Sequence, residues 1–285
     1  MRANKVTILL IIAFVGILVL NIFYPKKIES TFLTVLISIA TFLFGIFISF
    51  SISDRHGRIN ELRSNDSLER GYLILIYKYA GAFGKQYQIE MAEIIDQYLI
   101  STLDYAIRDF HKNEPFVDAI YAKIQSVKVI NEKQKEVYSE FLDCFSSLIE
   151  ARRKTIALIA DRLSRFEWLV AIFLPFIILL STILTETSSI IVAVISSVLS
   201  VMILNITLFL YLLDNLSWKE ERRIFEPYQQ TFEAIGKLRY YPEILILEKR
   251  VKMYKDKTYR LGVFPHKYPD LSGKTIKIIE NGIRI

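Results

Sequence analysis

Few residues in this 285-residue chain have the type and spacing that catalysis or ligation requires. The three histidines, His56, His111 and His266, lie far apart, with no paired cysteine or carboxylate at ligand spacing, so neither a metal site nor a cofactor is expected. The single cysteine, Cys144, cannot close an intramolecular disulfide, and its neighbourhood Leu142-Asp143-Cys144-Phe145 has the texture of an amphipathic helix. Glu90 with Glu93, and Glu136 with Glu140, sit one helical turn apart, a spacing that marks solvated helix faces more than acid–base pairs. Gly273-Lys274-Thr275 resembles the end of a phosphate-binding loop but lacks the upstream glycine that the motif needs. With no zinc-protease pattern, paired-cysteine motif or nucleophile elbow either, the chain is not expected to be an enzyme.

A physical role for the remaining candidates would be conduction. Ser38, Thr41, Gly45, Ser49 and Ser53 fall within a roughly 120° sector of a helix turning 100° per residue, and Phe42, Phe44, Phe47 and Phe50 are distributed around it. Hydroxyls on such a stripe can replace part of an ion's hydration, with phenylalanines as a hydrophobic constriction. The same stripe is also the small-residue surface that lets two membrane helices approach closely. Phe47 and Phe50 are the constriction candidates, Ser49 and Ser53 the lining candidates, and Arg55 and Arg58 an electrostatic rim at the helix end. The arginines are equally explained as topology determinants touching anionic lipid.

The elements that position these residues are read from charge. The chain is 52% hydrophobic with a formal charge of +6 and a mean hydropathy of +0.32, so its apolar residues must be segregated from its charges. Charge is absent from Val6 to Tyr24, Ser30 to Ser53, Trp168 to Thr185 and Thr187 to Leu213. About 20 apolar residues in a helix cross the ~30 Å hydrocarbon layer, and none of the four runs shows the alternation of a barrel strand. An all-α integral membrane protein follows, with spans at about 6–24 and 31–53 within residues 1–53, and at about 168–185 and 189–213 within 167–213. The first run ends in Tyr24-Pro25-Lys26-Lys27 without a small-residue cleavage site, so it reads as a retained anchor and not a signal peptide.

Orientation follows the basic flanks. Arg55, Arg58 and Arg63 follow the second run, Arg152, Arg153, Lys154, Arg162 and Arg165 precede the third, and Lys219, Arg222 and Arg223 follow the fourth. The opposite side holds Lys26, Lys27 and Glu29 in one loop and Glu186 in the other. Both termini are therefore expected in the cytoplasm, as Arg2 and Lys5 suggest, and the setting is the cell membrane. Trp168, Tyr211 and Trp218 mark interfaces.

Residues 54–166 read as a cytoplasmic helical region or stalk: a continuation of the second membrane helix through Tyr79, a helix from Tyr87 to about Phe110, a break at Asn113-Glu114-Pro115, a short helix over Phe116–Val129, and a long one capped by Asn131 that runs on into the third span. Pro175 is expected to kink that span. Residues 214–285 read as a cytoplasmic helix and a small β element, with strand-like runs at Ile244-Leu245-Ile246-Leu247 and Tyr259–Phe264, and a hairpin of Thr275–Ile279 with Ile283-Arg284-Ile285 across Asn281-Gly282. In the fourth span, Ala193, Ser197, Ser200, Leu204 and Thr207 repeat the small-residue theme, beside Asn205.

This order of parts, with Phe44-Gly45-Ile46-Phe47-Ile48-Ser49-Phe50-Ser51-Ile52-Ser53 running into Arg55, Arg58 and Arg63, and Glu150 to Arg165 leading into the third span, resembles the bestrophin-like family of bacterial membrane proteins over about residues 31–213. Bestrophins are pentameric anion channels whose second helix lines a phenylalanine-bearing neck, so the resemblance implies that Phe42, Phe47 or Phe50 faces a pore. No acidic cluster matches the calcium site of bestrophins, and calcium activation is not implied. A homo-oligomeric anion channel is the first functional expectation, and a non-conducting scaffold or sensor acting through its cytoplasmic helices on a protein partner is the second. The lipid bilayer is the expected surrounding, and no nucleic-acid partner is expected.

Overall fold

A computed structural model of the chain describes residues 2–23 (2–10 by backbone alone), 31–185, 189–216, 225–248, 251 and 258–280. The loop around Lys26, Lys27 and Glu29, Glu186 in the second loop, Trp218, Lys219, Arg222 and Arg223, and the Asn281-Gly282 turn with Ile283-Arg284-Ile285 all lie outside the described residues, as do the side chains of Arg2 and Lys5. The chain divides into two compact units, Met1–Ile59 with Asp161–Lys219, and Asn60–Ala160 with Glu220–Ile285.

The first unit holds α1 (Arg2–Phe23), the first part of α2 (Thr31–Ala80), α6 (Arg165–Leu184) and α7 (Ile190–Asp214). The helices beginning at Thr31, Arg165 and Ile190 are long and apolar enough to cross a membrane. They expose large side chains such as Phe32, Phe173, Phe176 and Ile191, which water would penalise and hydrocarbon would not. α1 packs along α7 and against α6, and α6 packs on α7. Ala40, Phe44 and Ile48 of α2 share one apolar cluster with Leu163, Ala171, Ile178 and Leu210. α6 runs through Pro175 without a break.

The long helix capped by Asn131 does not run on into the third span. α5 (Glu132–Ala160) stops, residues 161–164 are non-helical, and α6 starts afresh behind Ser164, whose hydroxyl accepts from Glu167 N while the Glu167 carboxylate accepts from Ser164 N at 2.7 Å. That reciprocal capping box satisfies two of the end donors that an uninterrupted helix would not have exposed.

In the second unit, α2 continues without interruption to Ala80, as the helical spacing from Ile59 to Tyr79 requires. It is joined by α3 (Lys85–Asp104), α4 (Glu114–Gln125), α5 and α8 (Glu226–Ala234) around a core that includes Leu73, Ile76, Ile95, Tyr98, Phe141 and Phe232. The break between α3 and α4 falls at Tyr105 to Asn113, largely a 3-10 segment, with Pro115 in the first turn of α4, where its missing N–H is unneeded. Asn131 caps α5, its side chain accepting from Gln134 N at 2.8 Å.

The tail departs from expectation at Ile244–Leu247. Ile244–Leu247 belongs to a short helix, α9 (Glu243–Leu247), with only Leu245 buried: an apolar run of four does not distinguish strand from helix by period, and Pro242 followed by Glu243 opens a helical turn. The strands are β1 (Arg239–Pro242), β2 (Tyr259–Val263) and β3 (Thr275–Ile279), in the order β1-β2-β3, with β1 parallel and β3 antiparallel to β2. Thr275–Ile279 thus pairs back onto Tyr259–Val263. Gly262 is required there, because a Cβ would lie 2.0 Å from the Tyr240 hydroxyl oxygen. Charge fastens the sheet to α3: Arg260 bonds Asp96 bidentately at 2.6 Å, Lys274 bonds Asp104, and Tyr240 donates to Asp104 at 2.6 Å.

Candidate functional site

At 1.5 Å per residue, the 50 residues of α2 extend about 75 Å, more than twice the hydrocarbon thickness, so its charge-free part from Thr31 to Ser53 is the spanning segment. Its buried positions, Ala40, Phe44, Ile48, Ser51, Arg55 and Arg58, recur every three or four residues and form one face. Ser38, Thr41, Gly45, Ser49 and Ser53 are all exposed. A Cβ added at Gly45 would meet nothing within 4 Å. The small stripe is therefore not consumed by packing within the chain.

The phenylalanines divide. Phe42, seven residues or two turns before Ser49, shares its face and is 66% exposed. Phe47 lies about 160° from Ser49 around the axis, is half-buried against the apolar cluster, and lines a cleft of about 560 Å³ with Phe50, Leu163, Val170 and Leu174. Phe50 is 74% exposed at the edge of that cleft. Phe47 and Ser49 therefore do not share one face, because two residues of helix separate them by more than a third of a turn.

Arg55 and Arg58, expected as an exposed rim, are instead buried, at 6% and 4% exposure. They occupy α2's buried face, and partners from distant sequence enclose them. The Arg55 guanidinium donates to Asp54 at 2.5 Å and to the Asp161 carbonyl at 3.2 Å, and pairs with Asp161 and Asp214 at 3.2 and 3.6 Å. Arg58 donates to the Asp214 carbonyl at 2.9 Å. Asp214, the last residue of α7, is the hub: its carboxylate also accepts from Leu163 N at 2.9 Å and from the Trp168 indole at 3.2 Å. Desolvated charges so arranged hold geometry and offer an ion no open cation. No local pattern marked Asp214, since its partners lie more than 40 residues away.

A family model for the bestrophin-like domain matches residues 7–217. The chain belongs to the bestrophin-like family. A search of curated proteins and a search of solved structures each found no match. The family match takes in the first helix as well as the stretch from Thr31 onward, and it leaves the three-stranded sheet outside. With apolar helices of spanning length, this bestrophin-like chain is a membrane protein.

Sequence reasoning also missed two polar features of this bestrophin-like chain. In the first unit, Asn21 of α1 donates to Ser197 of α7 at 3.0 Å, both buried. In the second, Glu69, beyond the spanning part of α2, is buried with Tyr98 and Arg152. Tyr98 donates to Glu69, the Arg152 guanidinium donates to the Tyr98 hydroxyl, and it pairs with Glu114 at 3.2 Å. Burial pushes the Glu69 carboxyl up to about 7, against the pull of Arg152 and the Tyr98 hydrogen bond. Cys144 is buried beside the Tyr72 carbonyl, and burial pushes its thiol up to about 11. Glu90 and Glu93 pair with Lys123 and Lys237, as surface carboxylates do.

Proposed function

We propose that this bestrophin-like protein is a homo-oligomeric, anion-permeable channel of the cell membrane, in which copies of α2 surround a common axis. The observation that supports it is the exposed, hydroxyl-bearing stripe Ser38–Ser53 on a spanning helix, with an open glycine in its middle. Four spans from one chain cannot enclose a wide pore, whereas a ring of second helices can. On this reading Ser49 and Ser53 line the pathway, Phe42 is the constriction on the same face, with Phe50 at its edge, and Phe47 is packing. The stripe carries no carboxylate, the exposed Asp54 and Asp161 at its end are paired with Arg55, and exposed Arg162 and Arg165 border the same unit, which favours anions over cations. Arg55 and Arg58 act by fixing α2 to Asp214.

On the same reading α1, at 22 residues or about 33 Å, serves as the fourth span, both termini and residues 54–166 face the cytoplasm, as the basic flanks favour, and the protein works without a catalytic site of its own. The deciding experiment is planar-bilayer recording of the reconstituted protein under a chloride gradient, with oligomeric mass measured in the same preparation. Single-channel steps, an anion-directed reversal potential and a ring-sized oligomer are expected, with conductance rising in Phe42→Ala. A folded but silent monomer or dimer would overturn the channel and favour a sensor acting through the helical unit.

A further inference from the structure

Within the second unit, α4 and α5 border a cavity of about 250 Å³. It is below the ~300–1,000 Å³ of drug-sized sites and suits a small metabolite. α4 turns Glu114, Asp118 and Tyr121 to it, at positions i, i+4 and i+7 of one face. α5 supplies Phe145, Arg152 and Arg153 from its opposite wall. The cavity has two unlike ends. At one, Tyr121 stacks on Phe145 with ring centroids 5.2 Å apart. At the other, the Glu114 carboxylate of α4 pairs with the Arg152 guanidinium of α5, and Asp118 lies between, one helical turn from Glu114 and from Tyr121.

Those charges are not equivalent. Glu114 is already paired with Arg152, which is itself buried under Tyr98 and Phe110. Asp118 and Arg153 are exposed and line the cavity from α4 and α5, yet neither side chain makes an ion pair or hydrogen bond among the described residues. An anion alone would leave Asp118 repelling it, and a cation alone would meet Arg153. A molecule carrying both charges close together satisfies both walls, and an apolar substituent then reaches Val117, Ile149 and the aromatic pair.

We infer that the α4–α5 cavity binds a free zwitterionic α-amino acid with an apolar side chain, its carboxylate on Arg153, its ammonium on Asp118 and its side chain against Tyr121 and Phe145. The inference stands whether or not the protein conducts ions. Isothermal titration of the full-length protein in detergent with L-phenylalanine tests it. Saturable binding of one molecule per chain is expected, at least tenfold weaker for phenylethylamine, for 3-phenylpropanoate and for glycine, which lack the carboxylate, the ammonium and the side chain respectively. Arg153→Gln and Asp118→Asn, both at exposed positions, are each expected to weaken binding about tenfold without lowering the melting temperature. Absence of saturable heat at millimolar L-phenylalanine, binding unchanged in both variants, or phosphoethanolamine binding as tightly as phenylalanine, which would point to a lipid headgroup, overturns the assignment.

Discussion

Two spanning helices of this chain carry stripes of small, hydroxyl-bearing residues at three- and four-residue spacing, and the fold treats them oppositely. On α7, Ala193, Ser197 and Ser200 are buried, and α1 lies along that helix with Asn21 bonded to the Ser197 hydroxyl. On α2, Ser38, Thr41, Gly45, Ser49 and Ser53 are exposed, and the helix binds its own unit through the other face. The difference shows that a small-residue stripe signals close approach without saying to what. For α7 the answer is another helix of the same chain. For α2 the chain provides none among its described residues, which is why the stripe supports an intermolecular or pore-lining role.

The contrast is sharpest where α2's covered face meets Asp214. Asp214→Asn is expected to destabilise the membrane unit by about 3 kcal/mol, since Arg58 loses its nearby carboxylate and Arg55 loses one of three, keeping Asp54 and Asp161. Ser53→Ala, on the exposed face of the same helix, is expected to leave the melting temperature nearly unchanged. Melting of both variants in detergent measures this, and equal losses would mean that the exposed face contributes as much to folding as the covered one.

Farther along the same covered face, Glu69 gives a pH-dependent version. Its folded-state pKa of about 7 lies above the ordinary 4.5, because burial opposes the carboxylate. The folded state therefore holds the proton more tightly than the unfolded chain. Stability is full below 4.5 and is lost as pH rises toward 7, by about 3 kcal/mol in all. Denaturant unfolding from pH 4.5 to 7.5 should show that decline, and Glu69→Gln should flatten it. A slope that survives Glu69→Gln would assign it to another group.

Next in size is a direct test of α7's stripe. Ser197→Leu overfills a covered position and removes the acceptor of Asn21, with an expected cost of about 2 kcal/mol, whereas Ser49→Leu on α2 should cost the isolated subunit little and instead alter conductance or oligomeric mass. If both substitutions act on melting alone, the two stripes are alike and the comparison fails.

How much of this was legible in the sequence depends on whether the signal is local. The charge-free runs were, because one buried charge in hydrocarbon costs roughly 2.5–3.5 kcal/mol and leaves a compositional mark. So were the continuity of α2, from its helical spacing, and the Asn131 cap, from residue type. Burial of Arg55 and Arg58 was not: their residue types and flanking position are those of any membrane-end arginine, and the Asp161 and Asp214 that enclose them are more than 100 residues away. The restart of α6 at Ser164 was visible in principle as a Ser-x-x-Glu capping box, a signal masked by the absence of Gly or Pro. β1 was missed because Arg239–Pro242 is four residues long and ends in proline, and the choice between strand and helix at Ile244–Leu247 rests on tertiary context. For the candidate site, periodicity grouped the small residues on one face, but only the packing of Phe44 and Ile48 showed which side of α2 its own chain uses.

The smallest expected effect separates the two stripes most cleanly. Gly45 sits inside α2 with open space where a Cβ would be, and glycine in a helix interior is less favourable than alanine by about 1 kcal/mol. If only the isolated chain mattered, Gly45→Ala would be a free gain, raising subunit stability by up to about that amount. If copies of α2 approach one another along this stripe, the added methyl falls between backbones, so the subunit should melt slightly higher while the oligomer weakens or its conductance drops. Mass measurement and recording on the same preparation of Gly45→Ala distinguish the cases. A higher melting temperature with unchanged assembly and conductance would mean that the stripe faces lipid, and that the glycine answers to no partner.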